Sequence, residues 1–150
     1  MPDSISPSRT RVWFRMIRLH QALYSEVATR LRVVGLSVPQ FDVLSTLTER
    51  EGMSQRELAE RLYVTKGNVS GLIDRLVEAK LVERRSIPED RRSHALYLTT
   101  EGVRLAKLGI ETHQRFMDET LGKLPSDDIA TLDRILVSWR DTARAVTSAR

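Results

Sequence analysis

A chain of 150 residues, 41% hydrophobic and 29% charged, suits one domain with its own core or a compact unit with an oligomerisation appendage. It is too apolar for intrinsic disorder, no apolar run reaches the ~18 residues of a membrane span, and Met1-Pro2-Asp3-Ser4 is no basic, apolar leader, so a cytoplasmic protein without membrane contact is expected. The lack of cysteine excludes disulfides, thiolate metal sites and thiol redox switching, while a net charge of +4 permits nucleic-acid binding without establishing it.

Residues 1–8 are rich in Ser and Pro and are expected to fray. From Arg9 to about Arg32 the positions Trp13, Met16, Ile17, His20, Tyr24, Val27 and Leu31 recur at helical spacing, with Val12, Leu19 and Leu23 beside them. So wide an apolar arc calls for partners on two sides, one of them in a second copy. Gly35 ends this helix. Ser37-Val38-Pro39-Gln40 then opens the next with a capping box and a first-turn proline, and Phe41, Leu44 and Leu47 form its buried stripe.

Gly52 closes that second helix, and Ser54-Gln55-Arg56-Glu57 is another capping box, opening a short helix that buries Leu58, Ala59 and Leu62. Thr65 is expected to cap a fourth helix with the stripe Val69, Leu72, Ile73, Leu76 and Val77. Two short helices across a three- or four-residue turn make a helix-turn-helix. Val82–Ile87 and Ala95–Thr99 are β-prone, and the polar stretch 88–93 between them predicts a hairpin with a dibasic tip. Thr99 caps a long helix through Leu121, carrying Val103, Ala106, Ile110, His113, Phe116 and Met117. A last helix starts near Pro125 or Ser126, with Asp127 and Asp128 at its positive dipole end, and buries Ile129, Leu132, Ile135, Leu136 and Trp139.

A helix-turn-helix followed directly by a charged hairpin is a winged helix, a fold that is mainly α with a small β-hairpin wing. It places its second helix in the major groove and its wing beside it in the minor groove. The non-apolar face of the fourth helix reads Lys66, Gly67, Asn68, Ser70, Gly71, Asp74 and Arg75, and Lys66, Asn68 and Ser70 offer donors for phosphates and base edges. Two glycines within a helix cost about 1 kcal/mol each relative to Ala, a sacrifice that fits close approach to another backbone; the competing reading is a solvated face with incidental glycines. Ser54, Gln55 and Arg56 at the preceding helix start, together with Thr65, Arg85, Asp90, Arg91 and Arg92, complete the candidate DNA surface. Arginine suits a narrow minor groove, and Asp90 is expected to position an arginine, Arg92 or Arg75.

Leu76-Val77-Glu78-Ala79-Lys80-Leu81-Val82-Glu83-Arg84, Asp90-Arg91-Arg92 and Leu98-Thr99-Thr100-Glu101-Gly102, in this order and with Ser37-Val38-Pro39-Gln40 before them, resemble the multiple-antibiotic-resistance regulator (MarR) family over nearly the whole chain. That resemblance implies a homodimeric bacterial transcription regulator, expected to be a repressor on a pseudo-palindromic operator and released by a small anionic aromatic effector. It also implies that residues 37–99 bind DNA while residues 1–36 and 100–150 form the dimer, Val12, Ile129, Leu132, Leu136 and Trp139 among the contacts. Lys80 departs from the pattern, which has Gly there; a left-handed cap costs Lys about 1 kcal/mol more, so the turn is expected to close differently.

Trp13, His20, Tyr24, Phe41 and His113 are candidates for an effector crevice, although aromatic residues at helical spacing equally serve as core. Arg11, Arg15 and Arg18 form a basic line that meets either an anionic ligand or Asp127 and Asp128 of a second copy. No nucleophile–base set, glycine-rich phosphate loop or cofactor motif is present, so no enzyme activity and no cofactor are expected. A metal site from His20, His113 and Glu26 or Glu111 ranks below ordinary packing. The alternative to a DNA-binding regulator is a winged-helix protein-interaction module, which an acidic or apolar face over Lys66–Arg75 would favour.

Overall fold

Among the described residues the helical periods become six α-helices and a small sheet in the computed structural model. They run α1 (Arg9–Val33), α2 (Val38–Glu49), β1 (Met53–Ser54), α3 (Gln55–Arg61), α4 (Val69–Glu78), β2 (Val82–Ile87), β3 (Asp90–Leu98), α5 (Thr100–Glu119), a 3-10 turn (Leu121–Lys123) and α6 (Ser126–Ser148). The structure describes residues 8–149, apart from the Arg91 side chain; the Ser/Pro-rich stretch 1–7, and the fraying expected of it, lie outside the described residues. Contacts divide the chain into two units, one ending at His113 and one beginning at Gln114.

The first unit holds the core. Leu31 of α1, Val43, Leu44 and Leu47 of α2, Leu58 of α3, Ile73 and Leu76 of α4, and Val82 and Leu96 of the sheet are fully or almost fully buried together. Both capping boxes form: Ser37 Oγ accepts from Gln40 N–H (3.3 Å) and Ser54 Oγ from Glu57 N–H (3.1 Å), each returned by the Gln or Glu side chain. Only Leu31 of α1 is buried. Val12, Trp13, Phe14 and Leu19, in the N-terminal half of that helix, are exposed.

The sheet has three antiparallel strands in the order β1-β3-β2, one more than the expected hairpin. Gly52 turns the chain at φ +77° and donates to the Leu96 carbonyl (2.8 Å), delivering buried Met53 opposite Leu96. Two residues show no alternation, so this strand leaves no periodic trace in the sequence. The wing also differs from expectation. Its turn is confined to Pro88-Glu89, and Asp90–Ser93 belong to β3, where pairing jumps from Ile87↔Asp90 to Ser86↔His94. Residues 91–93 thus bulge out of register beside the turn.

The α4–β2 turn closes as a family glycine would close it, contrary to expectation. Lys80 adopts φ +58°, its N–H bonds to the Val77 carbonyl (3.0 Å) and the Leu81 N–H bonds to the Leu76 carbonyl (3.0 Å). That paired pattern also ends α1, where Gly35 stands at φ +86°. Hydrogen bonds hold Lys80 in the left-handed region despite its Cβ. Lys80→Gly is therefore expected to raise stability by about 1 kcal/mol, read as a higher urea midpoint at unchanged slope.

The opening of α5 grips this turn. Thr99 accepts from Gly102 N–H through Oγ1 (3.0 Å), donates the same hydroxyl to the Lys80 carbonyl (2.7 Å), and gives its N–H to the Leu81 carbonyl (3.1 Å). A Cβ on Gly102 would lie 2.0 Å from the Leu81 oxygen, so only glycine lets α5 come this close.

The second unit comprises the end of α5, the 3-10 turn and α6. α6 starts after Pro125 with Asp127 and Asp128 in its first turn, as expected. The buried stripe expected of it is not buried: Ile129, Leu132, Ile135 and Leu136 are all exposed, Trp139 is only half-buried, and no α6 residue is enclosed within the chain. Their spacing specifies an apolar face, and among the described residues that face is left uncovered.

Candidate nucleic-acid interface

α3 and α4 form the helix-turn-helix, but its connection runs over residues 62–68, longer than the expected turn. Thr65 does not cap α4. Its N–H goes to Asp42 and its buried hydroxyl has no hydrogen-bond partner among the described residues, whereas Asn68 Oδ1 caps the helix by accepting from Gly71 N–H (2.9 Å). Lys66 and Gly67 consequently precede the helix rather than lie on its face, and the helix-interior cost assigned to Gly67 does not arise. A Cβ on Gly67 meets nothing within 4 Å. Gly71 does lie in the first turn, where a Cβ would come within 2.5 Å of the Asn68 side chain; its glycine makes room for the cap.

Lys66, Gly67, Asn68, Ser70 and Arg75 are exposed around the start and outer face of α4, a concentration of donors at a helix N-terminus. Because the Asn68 carbonyl is committed to the cap, Ser70 is the cleaner candidate for reading bases. Ser54 and Gln55 open α3, and Arg56 is strongly exposed, facing Glu60 at 3.5 Å. Asp74 of α4 pairs with Arg84 of β2 and ties the recognition helix to the wing.

Asp90 shapes the wing through the backbone. Its Oδ1 accepts from Arg92 N–H (3.0 Å) and its Oδ2 from the Ser93 hydroxyl (2.8 Å), bonds that hold its carboxyl below the usual carboxylate range. The arginine it positions is Arg92, fixed by its main chain; Arg75 receives neither of these bonds. Arg92 is exposed, and the Arg91 side chain lies outside the described residues. Arg85 stands apart from this group. It pairs with Glu83 (2.7 Å) and stacks 4.0 Å over the Tyr97 ring, on the strand face opposite Arg84 and α4.

The effector candidates fall into pairs. His20 and Tyr24 approach within 5.9 Å on α1, and Phe41 and His113 within 5.6 Å between α2 and α5, where partial burial lowers the His113 pKa. Tyr24, Ala28 and Arg32 also line, with the Gly35–Pro39 connection, an open cleft of about 420 Å³. Trp13 is about half exposed. Among the described residues no group of three metal-ligating side chains gathers, and no helix is long and apolar enough to cross a membrane.

Asp42 went unnoticed in the sequence. Although acidic, it is only 3% exposed and accepts three consecutive backbone N–H groups of the 62–68 connection. A lone Asp among the apolar stripe of α2 is the only local sign of it.

The family model for MarR matches residues 34–93, the segment just described. An uncharacterized HTH-type transcriptional regulator of Bacillus subtilis, YsmB, is 30% identical over 107 residues, 71% of this chain and 73% of that protein. A variant of the Escherichia coli MarR protein, solved in complex with operator DNA, is 28% identical and superimposes with a TM-score of 0.73 over 83% of this chain and 90% of that one. AbsC of Streptomyces coelicolor, a MarR family regulator at 24% identity, shares the fold with a TM-score of 0.82 over 95% and 99% of the two chains.

Proposed function

This chain belongs to the MarR family of transcription regulators, and from that premise we propose that it binds double-stranded DNA as a homodimer, with residues 37–99 as the DNA-binding part and residues 1–36 and 100–150 as the dimer-forming part. The observation that carries this reading is the exposed donor set at the start of α4, flanked by a wing whose Arg92 is fixed by Asp90. The E. coli relative solved with operator DNA supports it. Lys66 and Arg92 meet phosphate or minor groove, and Ser70 reads a base edge. Arg85, engaged by Glu83 and Tyr97, supports the wing. Occupying an operator makes the regulator a repressor in the simplest case, and its place of work is the cytoplasm.

A dimer supports two recognition helices, whose half-sites then lie roughly 34–36 Å apart. The cleft beside Arg32 is the place for a small anionic effector; with no cysteine in the chain, release by thiol oxidation is not available. The test is selection of genomic fragments by the purified protein, followed by binding titrations on the selected duplex. Arg92→Ala is expected to weaken binding about tenfold while leaving the oligomeric state unchanged. Lys66→Ala is expected to reduce the salt slope by about one unit across all sequences. Unchanged operator affinity in Arg92→Ala would remove the wing from the interface.

A further inference from the structure

The 62–68 connection delivers Lys66, Asn68 and Ser70 to their exposed positions, yet it has no regular backbone pairing of its own. Its main chain is held chiefly by Asp42. Asp42 Oδ1 accepts from Tyr63 N–H (3.0 Å), and Oδ2 accepts from Val64 N–H (3.0 Å) and Thr65 N–H (2.9 Å). A second tie from α2 lies beside it, the Tyr63 hydroxyl donating to Glu49 (3.1 Å). Enclosing a carboxylate is strongly unfavourable unless donors surround it, and among the described residues its donors are Tyr63, Val64 and Thr65 of the connection. The connection therefore has one low-energy position relative to α2, and Lys66 follows directly on the last residue held.

We propose that Asp42 is a positioning residue for DNA recognition: by fixing three consecutive amides it sets where Lys66, Asn68 and Ser70 meet the duplex. The inference rests on the DNA-binding reading above and adds a residue that touches no DNA. Asparagine is the informative replacement. It keeps the volume, but its amide nitrogen faces backbone N–H donors, so at least one of the three bonds is lost whichever way it is turned.

The experiment uses the full chain and a duplex selected by the wild-type protein from genomic fragments, with a scrambled duplex of equal length as reference. In the folded dimer, Asp42→Asn is expected to lower affinity for the selected duplex at least tenfold and for the scrambled one less than twofold. A merely structural role moves the melting temperature but leaves that ratio alone. Unchanged affinity for the selected duplex, or equal loss on both, overturns the proposal. Amide hydrogen exchange on the wild type gives a second arm that stands even if Asp42→Asn does not fold. The amides of residues 63–65 are expected to be protected before DNA is added, and protection that arises only with DNA overturns the preset turn. A wild-type chain that selects no duplex fails the DNA-binding reading itself, whereas a wild type that selects and an Asp42→Asn that matches it fail this inference alone.

Discussion

Gly102→Ala is expected to destabilise the chain by about 3 kcal/mol or more, far beyond the change usual for adding one methyl group at a helix start. The added carbon would sit 2.0 Å from the Leu81 carbonyl oxygen. That oxygen cannot simply move away, because it accepts from Thr99 N–H, while the adjoining Lys80 carbonyl accepts from the Thr99 hydroxyl. Either α5 backs off and loses these bonds, or the α4–β2 turn shifts and takes the end of the recognition helix and the root of the wing with it. Operator binding is then expected to fall together with stability. Urea denaturation of Gly102→Ala beside Gly67→Ala, whose new methyl group meets open space, isolates the effect. A Gly102→Ala chain within 1 kcal/mol of wild type would show that α5 does not seat against this turn. The Leu-Thr-x-x-Gly pattern thus has a mechanical meaning: threonine bonds the turn and glycine lets it approach.

Removal of residues 125–150 is expected to yield an aggregating chain rather than a folded, soluble monomer. α6 exposes Ile129, Leu132, Ile135, Leu136, Val137 and Val146, and α1 exposes Val12, Trp13, Phe14 and Leu19. A helix of this length with no buried residue gains little from propensity alone and depends on packing against a partner. If a second copy supplies that packing, the wild-type melting temperature rises with protein concentration. Truncation removes the α6 face, while Val12, Trp13, Phe14 and Leu19 of α1 stay exposed, contiguous apolar side chains of the kind that drive association. Sedimentation of the truncated chain as a well-folded monomer would refute a dimer built from the chain ends.

Much of this was legible in the sequence because it is local. Ser37/Gln40 and Ser54/Glu57 are reciprocal pairs three residues apart, and both form. The stripe of α4 is read correctly from its spacing, Leu72, Ile73 and Leu76 being buried. What escaped depends on distant partners. Thr65 and Asn68 are both good caps, and the choice falls to Asn68 because Asp42, 23 residues back, holds the Thr65 amide in the connection. β1 exists because β3 lies alongside it. The effector residues are legible only as aromatic positions: the structure joins His20 to Tyr24 and Phe41 to His113 but supplies no chemistry that singles out a ligand.

The sheet order β1-β3-β2 leaves two outer strands, and each is a poor template for further growth. β1 is only two residues long, and the middle of β2 carries Glu83, Arg84 and Arg85 in succession. An incoming strand finds too few main-chain groups on one side and a row of charges on the other. Growth of the native sheet by strand addition, whether from a second copy or another chain, is accordingly disfavoured at both of its edges.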